Sequence, residues 1–210
     1  MDTLTSKDFV AIIASFAKTI IAKRDYLNEL DGKLGDADFG TSISGGCQAL
    51  EKLIPELGSC APGMVLGKTG TTLVRSMGGA SGPLFGTIFM RAGKELGSVV
   101  EVGAPELARM FAASLEGVKM LGKSDVGDKT LIDALAPAVG AIESAAAREA
   151  SLKEALAEAC AAAEKGVEAT KSMVANRGRA HYVGERGIGH QDAGATAIHM
   201  LFMVLADYTK

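Results

Sequence analysis

The chain has 210 residues, of which 48% are hydrophobic and 22% are charged, and its formal net charge is -3. These values are ordinary for a globular protein of one domain, or at most two, with a sizeable core. The negative charge and the lack of a broad basic stripe argue against binding to nucleic acid. Every apolar run is interrupted well before membrane-spanning length, and residues 1–8 lack a signal-peptide pattern, so we predict no membrane association.

The three cysteines, Cys47, Cys60 and Cys160, are odd in number and widely spaced. This usage favours reduced thiols in the cytoplasm over a disulfide framework or a zinc site. Aromatic residues make up only 5% of the chain, whereas 26 residues are glycine. Such a composition indicates helices that pack closely on small residues, with the glycines mostly between the helices, where something needs the backbone to come near.

Apolar residues recur at spacings of three and four along almost the whole chain, which predicts helices rather than strands. The first segment has a candidate cap at Thr5 or Ser6 and an apolar stripe behind it. In chain order we predict eight helices, near residues 5–27, 41–57, 61–77, 82–96, 104–121, 130–147, 151–180 and 195–209. No linker divides them, so we predict a single all-α domain over residues 1–210, built as a bundle or a barrel of helices.

The first of four polar loops is acidic. Asp31, Asp36 and Asp38 fall within eight positions, and the last two point the same way if the backbone is extended. Three converging carboxylates repel one another without a cation, and such hard oxygen ligands suit Mg²⁺ or Ca²⁺. The alternative is a solvated acidic turn, which the flanking Gly35 and Gly40 make less favourable because they let the backbone fold around a ligand.

Two other interpretations of the nearby motifs fail on their spacing. A calcium-binding EF-hand that began at Asp36 would need glycine and glutamate where the chain has Thr41 and Cys47. A phosphate-binding Walker A loop that ended at Gly67-Lys68-Thr69 would need glycine where the chain has Pro62. The metal hypothesis for the acidic loop is therefore the one that we carry forward.

Three later loops, at residues 76–83, 122–130 and 177–194, are rich in glycine, and each precedes a predicted helix. In the first of them Ser81 is a candidate N-cap and Pro83 suits the first helical turn. A helix N-terminus behind two glycines can bind phosphate, although a plain turn between helices fits equally well.

Arg179 and Asp192, in the last loop, each allow a functional and a structural interpretation. Arg179 could bind a phosphate or stack on a base, or it could be a solvated charge. Asp192 could accept hydrogen bonds from ribose hydroxyls, or it could cap the last helix. The sequence offers no nucleophile–base pair, so phosphoryl transfer, which depends on positioning and charge neutralisation, is the reaction that these loops can support if they converge.

Motifs in these loops resemble those of a known family, in the family's order and over nearly the whole chain. They are Gly-Asp-Ala-Asp-Phe-Gly at 35–40, Gly-Gly-Ala-Ser-Gly-Pro-Leu-Phe-Gly at 78–86, Gly-Asp-Lys-Thr at 127–130, Gly-Arg-Ala at 178–180 and Gly-Glu-Arg-Gly-Ile-Gly-His-Gln-Asp-Ala-Gly-Ala at 184–195. Together they are similar to the ADP-binding L subunit of dihydroxyacetone kinase, the DhaL family. The resemblance implies an antiparallel barrel of eight helices with a nucleotide site at one end.

The resemblance also implies roles for individual residues. Asp31, Asp36 and Asp38 match the family's metal ligands and would hold two Mg²⁺ ions that bridge to the phosphates of ADP or ATP. The family's nucleotide contacts match Phe39, Gly40, Thr41, Ser42, Ala80, Ser81, Gly122, Thr130, Leu131, Arg179, Asp192, Ala193 and Gly194. Phe39 stands where many relatives have His, Ser42 where many have Asn and Ala193 where Pro is usual, which leaves the phosphoryl donor and the sugar open.

The implied function is that of a phosphotransferase subunit acting on dihydroxyacetone or a related short ketose, which a partner K subunit holds. In the phosphoenolpyruvate-dependent branch ADP stays bound as a coenzyme and an M subunit of a phosphotransferase system rephosphorylates it; in the other branch ATP exchanges. The alternative is a non-catalytic module whose nucleotide state a regulatory protein senses. A helical scaffold with solvated acidic turns is a third reading, and a homodimer is left open.

Overall fold

The structure is a computed structural model that describes residues 2–210. Those residues form nine α-helices and two 3-10 segments, Ile54–Glu56 and Arg179–Gly187, and no strand. The helices are α1 (Ser6–Ala22), α2 (Arg24–Gly32), α3 (Phe39–Leu53), α4 (Pro62–Ser76), α5 (Ser81–Leu96), α6 (Ala104–Gly122), α7 (Ile132–Ala147), α8 (Leu152–Thr170) and α9 (Ala193–Tyr208). The all-α prediction is confirmed.

The predicted first helix, 5–27, is two helices in the structure. The break falls at Lys23, whose backbone angles of φ -100° and ψ 11° are not helical. Its N–H group bonds to the carbonyl oxygens of Thr19 and Ile20, which ends α1. No glycine or proline lies at this point, and apolar residues on both sides of it are buried in the core. The helical spacing of apolar residues therefore continues across the break and does not reveal it. As a result Asp31 lies in the last turn of α2 and not in a loop.

The predicted helix 151–180 was also too long, because α8 ends at Thr170. Beyond α8 the chain moves away from the end of the helix and then returns to it. There the N–H of Gly189 donates a hydrogen bond to the carbonyl oxygen of Lys171 at 2.7 Å. Gly178 and Gly184 have φ values of 65° and 62°, which a helix does not allow. The end of α8 is thus fixed by contacts that are distant in sequence, which a local pattern does not contain.

Eight of the described helices form a closed ring. From α3 to α9 each helix packs against the next one in the chain, and α1 closes the ring between α9 and α3. Helix α2 is an addition that packs mainly against α3 and α9. Most connections are short, and the long one between α8 and α9 returns to its start, where Gly189 bonds to Lys171, so consecutive helices of the ring run antiparallel. The predicted eight-helix antiparallel barrel is confirmed, with one further helix.

Glycines allow a close helix contact between α4 and α5. A Cβ atom on Gly70 would lie 2.5 Å from the carbonyl oxygen of Gly86, and one on Gly93 would lie 2.8 Å from the backbone nitrogen of Gly67. Any larger side chain would push the two helices apart. The expectation of helices that pack closely on small residues is confirmed here. The expectation that the glycines lie mostly between helices was wrong, since most of them, these four included, lie within helices.

Apolar side chains fill the inside of the ring. Phe111 and Phe202 meet there with ring centroids 5.1 Å apart, and Phe16 and Phe89 with centroids 6.3 Å apart. The space left between such residues is about 20 Å³ and lined by apolar side chains, which is room for about one water molecule. A ligand must therefore bind outside this core.

Alternate connections lie at the same end of an antiparallel ring, which sorts the loops into two groups. We call one end the loop end; it carries the connections 33–38, 77–80, 123–131 and 171–192. We call the other the cap end; it carries the connections 54–61, 97–103 and 148–151 together with both chain termini. All four polar loops singled out in the sequence belong to the loop end. Among residues 2–210, no helix has both the length and the apolar character that crossing a membrane requires.

Candidate functional site

A cavity of about 780 Å³ opens at the loop end. Its wall contains all the predicted metal and nucleotide residues except Gly40. These residues come from four connections and the helix ends beside them, from Asp31 to Gly194, and the antiparallel ring brings them to one place. Their roles toward a ligand stay predictions, but they share one cavity.

The helices α3, α5, α7 and α9 all begin at this cavity, as the alternation of the ring requires. The first turn of a helix carries N–H groups without a helical partner and the positive end of the helix dipole. Residues 2–210 provide no side-chain cap for α5, so the N–H groups near Ser81 are available to a ligand. Several helix N-termini that meet at one cavity favour an anion such as a phosphate.

The three aspartates of the acidic loop converge at one side of the cavity. Asp31, Asp36 and Asp38 each offer a carboxylate oxygen, and these oxygens lie within 4.8 Å of one another. Ala37, between the last two, has a φ of 61°, so the backbone there is a left-handed turn and not extended. The extended backbone that would point Asp36 and Asp38 the same way is therefore not what the structure shows, although the two carboxylates do lie close together. We call these three residues the acidic cluster.

Asp31 has a second task in this cluster. Its Oδ2 accepts hydrogen bonds from the backbone N–H groups of Asp38, at 3.0 Å, and Phe39, at 3.3 Å. The carboxylate from the end of α2 thus caps the start of α3 and fixes Asp38 beside it. The loop between these helices is held in shape by one of its own metal-ligand candidates.

The electrostatics of the cluster favour a positive charge beside it. Burial raises the pKa of Asp38, and the neighbouring charge of Asp36 raises it further. Arg179 forms an ion pair with Asp36 from the opposite side of the cavity. Three carboxylates with oxygen donors only fit a hard divalent cation such as Mg²⁺, which needs few protein ligands because phosphate and water complete its shell.

The contact between α2 and α3 depends on Gly40 and Asn28. A Cβ atom on Gly40 would lie 2.7 Å from the backbone nitrogen of Asn28, so the two helices require glycine here. The Asn28 side chain accepts from the N–H of Thr41 and donates to its hydroxyl, both at 2.9 Å. Gly40 therefore supports the site by helix packing, and the Thr41 hydroxyl keeps its own proton for another acceptor.

Ser42 joins the acidic loop to the glycine loop. Its hydroxyl accepts from the N–H of Gly78 at 3.0 Å and donates to the carbonyl oxygen of Gly78 at 3.2 Å. Helix α5 then begins at Ser81, with Ala80 at the N-cap position. The prediction that Ser81 is the N-cap was wrong by one residue, because the chain enters the helix through Ala80 without a side-chain cap in the described structure.

The connection between α6 and α7 is organised by a buried aspartate. Asp133 accepts from the N–H groups of Gly127, at 2.6 Å, and Thr130, at 2.7 Å. The Thr130 hydroxyl accepts from the N–H of Ile132 at 3.2 Å, which leaves its proton free to donate. Gly127 has a φ of 95°, a conformation that favours glycine, so the motif at 127–130 is a fixed loop.

Asp192 caps α9, as the structural interpretation of this residue predicted. Its Oδ2 accepts from the N–H of Ala195 at 2.7 Å, and its own N–H donates to the hydroxyl of Thr170. Burial raises the pKa of Asp192 to about 7. Capping uses one carboxylate oxygen, so the other remains available to a ligand hydroxyl.

Three residues that support the site were not singled out from the sequence. Asn28 lies in α2, Asp133 lies in α7, and Lys129 is a buried lysine inside the Gly-Asp-Lys-Thr motif. The motif was noted, but the lysine was assigned no role. The position of Lys129 inside a short glycine-containing motif could have indicated a role in the site. The sequence around Asn28 and Asp133 contains no comparable indication.

Comparison with known proteins agrees with this geometry. Residues 33–207 match the DAK2 domain family. The chain is 40% identical over 182 residues to the ADP-binding subunit DhaL of the PEP-dependent dihydroxyacetone kinase of Escherichia coli (strain K12), which covers 87% of each chain. It is 34% identical over 209 residues to the DhaL subunit of PEP-dependent dihydroxyacetone kinase 2 of Listeria innocua, which covers 99% of this chain and 96% of that one.

A solved structure shares the fold. The dihydroxyacetone kinase of C. freundii, in complex with AMP-PNP and Mg²⁺, superposes with a TM-score of 0.74 at 26% sequence identity. The superposition covers 99% of the present chain but 34% of that kinase, so the chain spans about a third of its length. The sequence match, the fold and the grouping of the motif residues agree, and the chain belongs to the DhaL family, the DAK2-domain L subunits of dihydroxyacetone kinase.

Proposed function

We propose that this chain binds ADP or ATP through Mg²⁺ at the loop end and transfers the terminal phosphoryl group to a hydroxyl of a short ketose. The observation that carries the proposal is the cavity in which the acidic cluster faces the N-termini of α3, α5, α7 and α9. The acidic cluster suits a metal ion, and the helix N-termini suit phosphate oxygens. A metal-bound diphosphate requires both kinds of group.

Each part of the cavity has a separate task in this proposal. Asp31, Asp36 and Asp38 would hold Mg²⁺, with two ions as the expected number, and the metal would neutralise the charge of the phosphates. The N–H groups at the start of α5 and the guanidinium of Arg179 would bind phosphate oxygens. The hydroxyl of Thr130 would donate a further hydrogen bond. These groups position and neutralise the nucleotide, which is the main demand of phosphoryl transfer.

The ketose would be held by a partner K subunit. The C. freundii kinase is about three times as long as the stretch that this chain matches, which supports a division of the work between this domain and a ketose-binding one. The relatives from Escherichia coli and Listeria innocua are named as PEP-dependent subunits. By analogy we propose that ADP stays bound as a coenzyme in the cytoplasm and is rephosphorylated by an M subunit.

The test uses the full chain with a cognate K subunit and measures the formation of ketose phosphate. Asp36→Ala should abolish it, because the metal loses a ligand, whereas Asp25→Ala, an exposed aspartate of α2 outside the cavity, should not change it. Turnover that survives Asp36→Ala would overturn the assignment. Protein that binds ADP but forms no ketose phosphate with any K subunit would instead favour the nucleotide-sensing module.

The phosphoryl donor can be tested on the same protein. We expect purified chain to retain ADP through dialysis in the presence of Mg²⁺ and to accept a phosphoryl group from a phosphorylated M subunit. Rapid loss of ADP, together with turnover on added ATP alone, would contradict the coenzyme proposal and leave the kinase proposal in place.

A further inference from the structure

Lys129 is a buried lysine beside the cavity that the proposed mechanism does not use. Its side chain is 1% exposed, and its backbone has a φ of 59°, which residues other than glycine rarely adopt. Its Nζ donates to the carbonyl oxygen of Gly187 at 2.7 Å and to that of Met173 at 3.1 Å. A strained backbone and a buried charge persist only where the surroundings fix them, so this lysine holds a defined position.

The two carbonyl groups that Lys129 binds stand at the two ends of one segment. We call residues 173–187 the Arg179 segment, because Arg179 lies near its middle. The segment leaves the ring after α8 and returns before α9. Lys129 binds both of its ends, next to the backbone bond between Gly189 and Lys171. Arg179 itself is largely exposed and reaches from this segment to Asp36 of the acidic cluster.

The residue before Lys129 holds the same segment at a second point. The carbonyl oxygen of Asp128 accepts from the N–H of Asn176 at 3.1 Å, and its carboxylate accepts from the Asn176 side chain at 3.1 Å. Asp128 also lies 3.8 Å from Arg177. Two successive residues of the α6–α7 connection therefore attach the Arg179 segment to the wall of the cavity.

The partners of Lys129 are carbonyl groups and not carboxylates. Within residues 2–210 no carboxylate oxygen lies within 4 Å of its Nζ. Burial lowers the pKa of Lys129, while the charge of Asp192 opposes this effect. If the ammonium were removed, two carbonyl oxygens would lose a charged donor, and only the bond between Gly189 and Lys171, just outside the segment, would still join its ends.

We propose that Lys129 is a positioning residue for Arg179: it ties Met173 to Gly187 and so fixes the segment that presents the guanidinium to the phosphate site. The inference rests on the proposed nucleotide site and concerns the arrangement of its guanidinium. Lys129 acts on the nucleotide through Arg179 and does not contact it.

The test compares Lys129→Met with Lys123→Met. Both lysines lie in the same connection and both have positive φ, but Lys123 is exposed. Hydrogen exchange measured by mass spectrometry on the ligand-free protein should show faster exchange across 173–189 in Lys129→Met and unchanged exchange in α4 and α5. The Mg-dependent affinity for ADP should fall about tenfold, the value of one charge-assisted hydrogen bond. Lys123→Met should change neither quantity.

A double mutant separates positioning of Arg179 from a general structural role. In an Arg179→Ala background, Lys129→Met should cost no further affinity, because the guanidinium that it positions is already absent. Losses that add in the double mutant, or exchange that rises throughout the protein, would overturn the inference. If Lys129→Met does not fold, Asn176→Ala replaces it: this surface change removes one attachment of the segment and should give the same pattern at a smaller size.

The two proposals fail in distinguishable ways. If the unmodified chain does not bind ADP with Mg²⁺, the proposed function fails and the inference falls with it. If the unmodified chain binds ADP and Lys129→Met behaves like Lys123→Met, the inference alone is wrong.

Discussion

The two ends of the ring close their helices in different ways. At the cap end, α1, α6 and α8 have self-contained caps, in which Asp8, Glu106 and Glu154 each accept a hydrogen bond from the backbone N–H three residues earlier. At the loop end, the start of α3 is capped by Asp31 of another helix, and in residues 2–210 the start of α5 has no side-chain cap. Three of the four described helices that begin at the cap end are therefore capped locally, with α4 as the exception. At the loop end α7 and α9 are capped locally by Asp133 and Asp192, α3 is capped from α2, and α5 leaves its donors to a ligand.

Acidic side chains at the two ends, Asp8 at the cap end and Asp38 and Asp192 at the loop end, have pKa values shifted in opposite directions. Burial alone would raise the pKa of Asp8, but hydrogen bonds from Thr5 and Tyr208 outweigh it and lower that pKa. At the loop end burial raises the pKa of both Asp38 and Asp192. The ionised form of Asp8 is therefore favoured in the fold, whereas burial disfavours the ionised forms of Asp38 and Asp192. This contrast is typical of a binding site on a stable scaffold.

The largest expected effect comes from removing a carboxylate of the acidic cluster. Asp38→Asn should weaken Mg-dependent ADP binding by more than about a hundredfold, since even groups that only support metal ligands are worth ten- to a hundredfold. The free energy of unfolding without ligand should not fall, because the change relieves repulsion with Asp36. Calorimetric titration and thermal unfolding measure the two quantities.

The counterpart at the cap end is Ser151→Ala. Its hydroxyl accepts from the N–H of Glu154 at 3.2 Å, so its loss should lower the stability by about 1 kcal/mol, the usual value of an N-cap. ADP binding should stay unchanged. If Asp38→Asn destabilised the protein, or Ser151→Ala weakened ADP binding, the division of tasks between the two ends would be wrong.

Gly40→Ala should lower both the free energy of unfolding and the affinity for ADP, because Gly40 lies where the packing of α3 on α2 supports the site. The added Cβ would meet the backbone of α2 and move Asp31 away from Asp38. We expect a loss of about 1–3 kcal/mol in the free energy of unfolding, as for other overpacked contacts, and weaker ADP binding. The control is Gly140→Ala in α7, where a Cβ meets nothing within 4 Å. It should stabilise the helix by about 0.5–1 kcal/mol.

Asp192 should give the loop end a distinctive dependence of stability on pH. Its pKa is raised from 3.8 to about 7 by burial, so the folded state binds a proton more tightly than the unfolded state. The stabilisation is then complete below pH 4 and is lost as the pH rises to about 7. Asp192→Asn keeps a good N-cap and should flatten this part of the curve, measured without ligand. A curve unchanged by the substitution would show that Asp192 does not titrate in this range.

A small effect is also expected for Tyr208→Phe at the cap end. The Tyr208 hydroxyl donates to Asp8 at 2.7 Å and ties the end of α9 to the start of α1. Its loss should cost about 1 kcal/mol of stability and leave ADP binding intact. Because the folded pKa of Asp8 is lowered, its contribution is present above pH 3.8 and is lost as the pH falls below that value, opposite in sign to Asp192.

The helices could be predicted from the sequence because their apolar spacing is a local property. The break at Lys23 could not, since both sides of it keep the same pattern, and neither could the end of α8, which depends on a bond between Gly189 and Lys171. At the site, the acidic cluster and the glycine loops were identified from motifs. Asn28 and Lys129 were not, because their function lies in contacts with residues 13 and 58 positions away.

The central claim is that the acidic cluster holds a cation against the phosphates of a nucleotide at the loop end. Its most direct test is a calorimetric titration of the chain with ADP, first in Mg²⁺ and then in excess chelator. We expect binding in Mg²⁺ and its loss in chelator, with the same loss in Asp36→Ala and none in Asp25→Ala. Equal affinity for ADP with and without the divalent cation would contradict it.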